Sequence, residues 1–142
     1  MPKISFIMPI FRPNFVEKAV SSLLSQTMED IEIVLVHDNP DWTIDKKCMM
    51  DKRIRFIKNE TNQGIANSYN IAINNATADI ICPLDDDDIA IPERAMITYE
   101  AFQRRPDIGI FYGSQFIVNE KGGICHYTMA QKFNWTILRE RN

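Results

Sequence analysis

The chain has 142 residues, 45% of them hydrophobic, which suffices for one core and not for two. Its 16 lysines and arginines against 19 acidic residues leave a formal charge of −3, so the overall basic excess that marks a nucleic-acid partner is missing. Three cysteines, Cys48, Cys82 and Cys125, form no Cys-x-x-Cys arrangement, no basic and apolar leader is seen, and no apolar run reaches bilayer length; the expected setting is cytoplasmic and reducing, with any membrane contact peripheral, at the inner face.

Ile4 to Ile10 is apolar apart from Ser5, the pattern of a strand covered on both faces. Pro13 and Asn14 open a helical stretch in which Phe15, Val16, Ala19, Val20, Leu23 and Leu24 recur on one face. Ile31 to Val36 repeats the strand signal and closes on the turn-forming cluster His37-Asp38-Asn39-Pro40. Ile44 to Met50 reads as a short helix and Ile54 to Ile57 as a third strand. The polar loop Asn59 to Gly64 then leads into a helix whose inner stripe is expected to be Ile65, Tyr69, Ala72 and Ile73.

Ile80 to Leu84 is a fourth strand, followed at once by Asp85-Asp86-Asp87-Asp88 and then by a helix from Pro92 to Arg104, with Ala95, Met96, Tyr99 and Phe102 facing inward. Ile108 to Tyr112 reads as a fifth strand. Phe116 to Asn119 and Ile124 to Thr128 flank Lys121-Gly122-Gly123 as an antiparallel pair. Strands alternating with helices predict an α/β fold with a mainly parallel sheet flanked by helices and a small antiparallel addition near the C-terminus. In such a sheet, ligands bind at the carboxyl ends of the strands. Pro9 to Arg12, His37 to Asn39 and Asp85 to Asp88 all fall on that rim.

Two carboxylates about 4 Å apart repel by roughly 4 kcal/mol at a surface-like dielectric, and no Lys or Arg lies among the four to relieve this. A divalent cation would. Oxygen donors without His or Cys favour magnesium or manganese, commonly shared with a phosphate. The plain alternative is a solvated acidic loop that stops one element and caps the next. Asn62-Gln63-Gly64 likewise reads as a turn with Gly64 at positive φ, and Trp42 and Trp135 as core or rim aromatics. His37 and His126 share no cluster of ligand spacing and read as surface or strand-end residues, Arg139 and Arg141 as a solvated end.

These residues resemble the family 2 glycosyltransferases, nucleotide-sugar enzymes of the GT-A fold. Ile4 to Phe11 resembles the family's first strand and its Pro-x-Tyr-Asn ending, and Ser25-Gln26-Thr27 the close of its first helix. Val34 to Asn39 resembles Val-Asp-Asp-Gly-Ser, Asn62-Gln63-Gly64 with Asn70 the Asn-x-Gly and Arg-Asn element, and Leu84 to Arg94 the Asp-x-Asp segment with its Pro-Glu-Lys/Arg sequel. The likeness runs in order from residue 4 to about residue 124.

The resemblance implies one nucleotide-sugar-binding domain over residues 1–142, without the usual acceptor-binding part. It implies a nucleotide-sugar donor, UDP-linked, a glycan or lipid-linked acceptor, and inverting transfer in cell-surface polysaccharide synthesis. Pro9, Phe11, Arg12, Asp38, Asn62, Gly64 and Asp86 would meet the nucleotide, Asp86 near the ribose. Asp87, with Asp85 or Asp88 as helper, would hold Mn2+ or Mg2+. A carboxylate at Asp38 can also accept from the N3–H of uracil and would repel the N3 lone pair of cytosine.

Five positions depart from the family pattern: Arg12 for Asn, His37 for Asp, Asn39-Pro40 for Gly-Ser, and Tyr69 for Arg. Glu93, Glu100, Asp107, Glu120 and Glu140 match no general-base motif, so the base is not identified. A second reading is therefore a nucleotide-sugar-binding module or subunit that depends on a partner for transfer. A third, a nucleotidyltransferase, lacks the Gly-rich, Lys/Arg-bearing loop that such chemistry uses near the N-terminus.

Overall fold

A computed structural model describes residues 1–39, 41–45 and 49–133. Cys48, Trp135, Arg139, Glu140 and Arg141 lie outside the described residues. The chain divides into two units, Met1–Arg105 and a second beginning at Pro106.

In the first unit the elements run β1 (Ile4–Ile10), α1 (Val16–Leu24), β2 (Ile31–His37), β3 (Ile54–Lys58), α2 (Ile65–Asn75), β4 (Ile80–Pro83) and α3 (Arg94–Arg104). The four strands form one parallel sheet in the order β3-β2-β1-β4. Strand β1 is buried along nearly its whole length because it lies between two strands and two apolar layers. Ile4, Phe6, Met8 and Ile10 face a layer built from Val16, Ala19, Val20 and Leu23 of α1 and Ala95 and Tyr99 of α3. Ile7, with Val34 and Val36, faces Ala72, Tyr69 and Ile71 of α2. Both faces of the expected doubly covered sheet are therefore real.

The clasp between α1 and α3 explains the residues that end the first helix. Gln26 is buried; its amide nitrogen donates to Ile91 O at 2.8 Å and Ser22 O at 3.1 Å, and its oxygen accepts from Ala95 N at 2.8 Å. Thr27 N donates to Pro92 O at 2.8 Å. Buried amide groups left without such partners would cost about 1–3 kcal/mol each.

Four expectations change. The inner stripe of α2 is Ser68 and Ala72, with Tyr69 and Ile71 half-buried, whereas Ile65 is 67% and Ile73 46% exposed. Ser68 sets this phase because its hydroxyl accepts from the buried Asn59 at 3.3 Å, a polar constraint invisible to an apolar periodicity. In α3, Thr98 faces inward and Met96 outward, and the helix begins at Arg94 after a turn at Pro92-Glu93. Of Ile44–Met50, residues 46–48 lie outside the described ones, while Ile44 is buried and Met49 packs on the first apolar layer.

The fourth change falls in the second unit, where Ile108 to Tyr112 forms no strand. Gly109 interrupts the run and Gly113 follows it, and a strand without a ladder partner leaves its backbone groups unpaired. The expected antiparallel pair is present as β5 (Gln115–Val118) and β6 (Ile124–Thr128), with an irregularity between Ile117 and Val118. Asn119 Oδ1 organises its turn by accepting from Lys121 N at 3.0 Å and Gly123 N at 2.9 Å, and Gly122 supplies φ +81°.

Candidate functional site at the carboxyl rim of the sheet

From β1 the chain passes through α1 to β2 on one side, and after β3 it crosses through α2 to β4 on the other, so the strand order reverses between β1 and β4. A crevice at such a reversal is where open α/β sheets take ligands. Phe11 and Arg12 follow β1 there, and the four aspartates follow β4.

Asp86 stitches the two strand ends together. One carboxylate oxygen accepts from the backbone N–H groups of Phe11 and Arg12, each at 2.8 Å. The other accepts from Nε and Nη2 of Arg12 at 3.1 and 2.8 Å. With its side chain only 4% exposed, Asp86 satisfies two amides that the end of β1 would otherwise leave orphaned. Arg12 Nη1 reaches on to Asp87 at 2.8 Å. The repulsion expected among the four acids is thus relieved by a guanidinium 74 positions away in the chain, which the local sequence could not reveal. The hydrogen bond to Asp86 raises the Arg12 pKa, and the charges of Asp86, Asp87 and Asp85 add to it against the opposing effect of burial.

The other acids differ in their surroundings. Asp85 accepts a hydrogen bond from the Tyr69 hydroxyl at 2.6 Å, reaching the rim from α2. Burial, then this bond, push the Tyr69 pKa up, so the hydroxyl keeps its proton as donor. Burial, followed by the charges of Asp85 and Asp87, raises the Asp88 pKa, with Arg94 and Arg12 opposing. Among the described residues no three acidic, histidine or cysteine side chains gather into a metal-holding group. The donors fit magnesium or manganese in kind, as hard oxygens at a rim where one or two carboxylates would share the ion with phosphate, and not as an all-protein cage.

The second strand end completes the rim. Asp38 is 3% exposed; one oxygen accepts from Asn59 Nδ2 and from Gln63 N, both at 2.7 Å. Burial alone would raise its pKa, but these bonds, with help from Ser68 and Gly64, outweigh burial and hold it below the usual aspartate range. Asn62 Oδ1 accepts from Gly64 N at 2.8 Å, and Gly64 takes φ +80° as the chain enters α2, so the loop turns back toward Asp38 as expected of Asn-x-Gly. Asn39 and Trp42 both donate to Phe11 O, at 3.1 and 3.0 Å. Phe11 itself is 49% exposed, and Pro9 is paired in register with Val36 of β2.

His37 is a buried strand-end residue rather than a surface one: it is 1% exposed, edge-on to Trp42 at 4.6 Å, and among the described residues its Nε2 has no hydrogen-bond partner. Burial, then the charge of Lys58, lower its pKa, so it rests neutral. His126 lies in β6. Sequence reading missed Asn59 and Ser68 as the holders of Asp38 and Tyr69 as the donor to Asp85. An Asn directly after a strand and a polar residue inside a helix stripe were the only available signals.

The model of glycosyl transferase family 2 matches residues 5–141. An uncharacterized glycosyltransferase of Methanocaldococcus jannaschii is 30% identical over 146 residues, covering 98% of this chain and 50% of that protein. The chain spans half or less of the length of the curated relatives it matches. Among solved structures, residues 1–349 of S. aureus TarS in complex with UDP-GlcNAc align with a TM-score of 0.67 at 19% identity, covering 82% of this chain and 40% of that one. The mannosyltransferase PcManGT of Pyrobaculum calidifontis, in complex with GDP-Man and Mn2+, aligns with a TM-score of 0.59 at 17% identity, covering 84% and 36%. At these identities the structures establish the fold.

Proposed function

This chain belongs to glycosyl transferase family 2, and we propose that it is the donor-handling part of an inverting enzyme that moves a sugar from a nucleoside diphosphate to a glycan or lipid-linked acceptor. The observation that supports this best is the meeting of Phe11, Arg12, Asp86 and Asp87 in the crevice between β1 and β4. An exposed aromatic, a guanidinium fork and surplus carboxylates at one crevice suit a planar base, a diphosphate and a shared cation.

In this reading Phe11 offers its exposed face to the base. Asp38, kept ionised by its hydrogen bonds, accepts from an N3–H, which favours uracil over cytosine. Gly64 and Asn62 shape the loop that holds Asp38, Pro9 fixes the backbone leading to Phe11, and Asp86 supports the ribose end while locking β1. Arg12 faces the diphosphate. Asp87, with Asp85 or Asp88, would hold Mn2+ or Mg2+. That ion, when bound, supplies positive charge to the departing diphosphate.

The donor base in the two neighbours differs, UDP-GlcNAc in one and GDP-Man in the other; Asp38 separates uracil from cytosine, and the choice between UDP and GDP is left to the titration. Calorimetry of UDP and GDP with and without manganese, paired with a UDP-sugar hydrolysis assay, tests the reading. Manganese-dependent UDP binding that Asp87→Ala makes indifferent to the metal is the expected result. Absence of UDP binding under every metal rejects it, and tight binding without any hydrolysis or transfer favours the module that needs a partner.

A further inference from the structure

The cation already seated among the aspartates is Arg12, and it stands where the family pattern has an uncharged Asn. Its Nε and Nη2 are spent on Asp86, whose carboxylate is buried and braced by two backbone amides, so that side of the guanidinium is anchored. Its third nitrogen, Nη1, holds Asp87 in a pair whose members are 55% and 39% exposed. One arm is fixed and the other is open to exchange. Asp87 is also the acid assigned above to the metal, and a divalent ion approaching it meets a positive charge at hydrogen-bond distance. A diphosphate is the natural competitor for that arm, since Nη1 can donate a charge-assisted hydrogen bond to a phosphate oxygen as it does to a carboxylate.

We propose that Arg12 is the site's internal counter-ion and sets the order of entry: Nη1 keeps Asp87 occupied until a phosphate oxygen of a nucleoside diphosphate displaces that carboxylate from it, so the divalent ion binds tightly only together with the donor. This rests on the donor reading above. Arg12 acts here as a positioning residue for both ligands. By linkage, the factor by which the nucleotide tightens the metal equals the factor by which the metal tightens the nucleotide.

Calorimetric titrations of the full chain with manganese alone, UDP alone and UDP with saturating manganese, on wild type, Arg12→Gln and Arg12→Lys, test this, with thermal melts run beside them. Wild type is expected to bind manganese alone about tenfold more weakly than it does with saturating UDP. Arg12→Gln, which keeps a donor toward Asp86 without the charge, should tighten manganese alone about fivefold and weaken UDP alone by a similar factor, shrinking the coupling. Arg12→Lys keeps the charge and should leave manganese alone near wild type.

If Arg12→Gln melts lower yet binds manganese alone as wild type does, while UDP and manganese still bind together, Arg12 only clips the strands and the proposal falls with the donor reading intact. Equal UDP affinity in wild type with and without manganese overturns it as well, because the guanidinium then replaces the metal. No UDP binding by any variant under any metal removes the donor reading and this proposal together.

Discussion

The two ends of the parallel sheet each gather carboxylates, and they resolve them in opposite ways. At the amino end, Glu32 of β2 accepts from the Ser5 hydroxyl and from the Thr77 N–H and hydroxyl, while Ser5 accepts from Ala78 N at 3.0 Å. Asp51 beside it is paired with Arg53 at 3.0 Å, and this hydrogen bond brings its pKa down to about 2. Glu32, Asp51 and Arg53 line a hollow of about 1040 Å³, yet each named acid has a partner that accounts for it. At the carboxyl end, Arg12 pairs with Asp86 and Asp87, Asp85 takes the Tyr69 hydroxyl, Arg94 acts on Asp88 more than Arg12 does, and negative charge is left over. A roomy hollow whose named acids are settled points to architecture, and unsettled charges at the carboxyl rim point to a ligand.

The sharpest way to break this contrast is Asp86→Ala, because Asp86, like Asp38, is a rim acid built like the amino-end ones. Loss of four donors from a buried carboxylate should destabilise the fold by about 3 kcal/mol in denaturant melts. If stability is unmoved, Asp86 is not the stitch between β1 and β4. Asp38→Asn should follow at about 2 kcal/mol, since an amide oxygen facing Asn59 Nδ2 and Gln63 N loses the charge that strengthens both bonds. UDP titration of the folded variant should also show loss of preference over CDP.

Asp87→Ala sits on the other side of the contrast. It should weaken manganese-assisted UDP binding about tenfold, or 1.4 kcal/mol, with a melting point close to wild type. A large drop in stability instead would mean that Asp87 is structural.

The smallest effect belongs to Glu32→Gln, about 1 kcal/mol at neutral pH. Burial would raise the Glu32 pKa, but the bonds from Ser5, Thr77 and Ala78 hold it below the ordinary 4.5. A depressed carboxyl adds stability that is present above 4.5 and disappears as pH falls through the lowered folded value. The gap between wild type and the variant should therefore close on acidification below pH 4.5. A gap that widens there would contradict the assignment.

The regular parts of this molecule were legible because they are apolar. β1 and β2 lie within a residue of their expected bounds, and the rim was readable because strand ends in a parallel sheet must share an edge. Where polar groups decide, the reading slipped. Ser68 turned α2 about its axis, Thr98 displaced Met96 in α3, and the apolar run from Ile108 to Tyr112 found no ladder. The four acids were conspicuous, but Arg12 to Asp86 and Tyr69 to Asp85 are side-chain bonds across 74 and 16 positions, and nothing in local pattern or composition specifies them.

The grip of Gln26 and Thr27 on Ile91 and Pro92 has a consequence for how this chain can vary. Leu84 N is fastened to Ile7 O at 3.1 Å, so the acidic stretch is a strap buckled at both of its ends to the same rigid body. Adding or deleting a single residue between the buckles would rotate every carboxylate away from its partner, which makes the strap a ruler of fixed length. Change at this edge is confined to swapping one side chain for another.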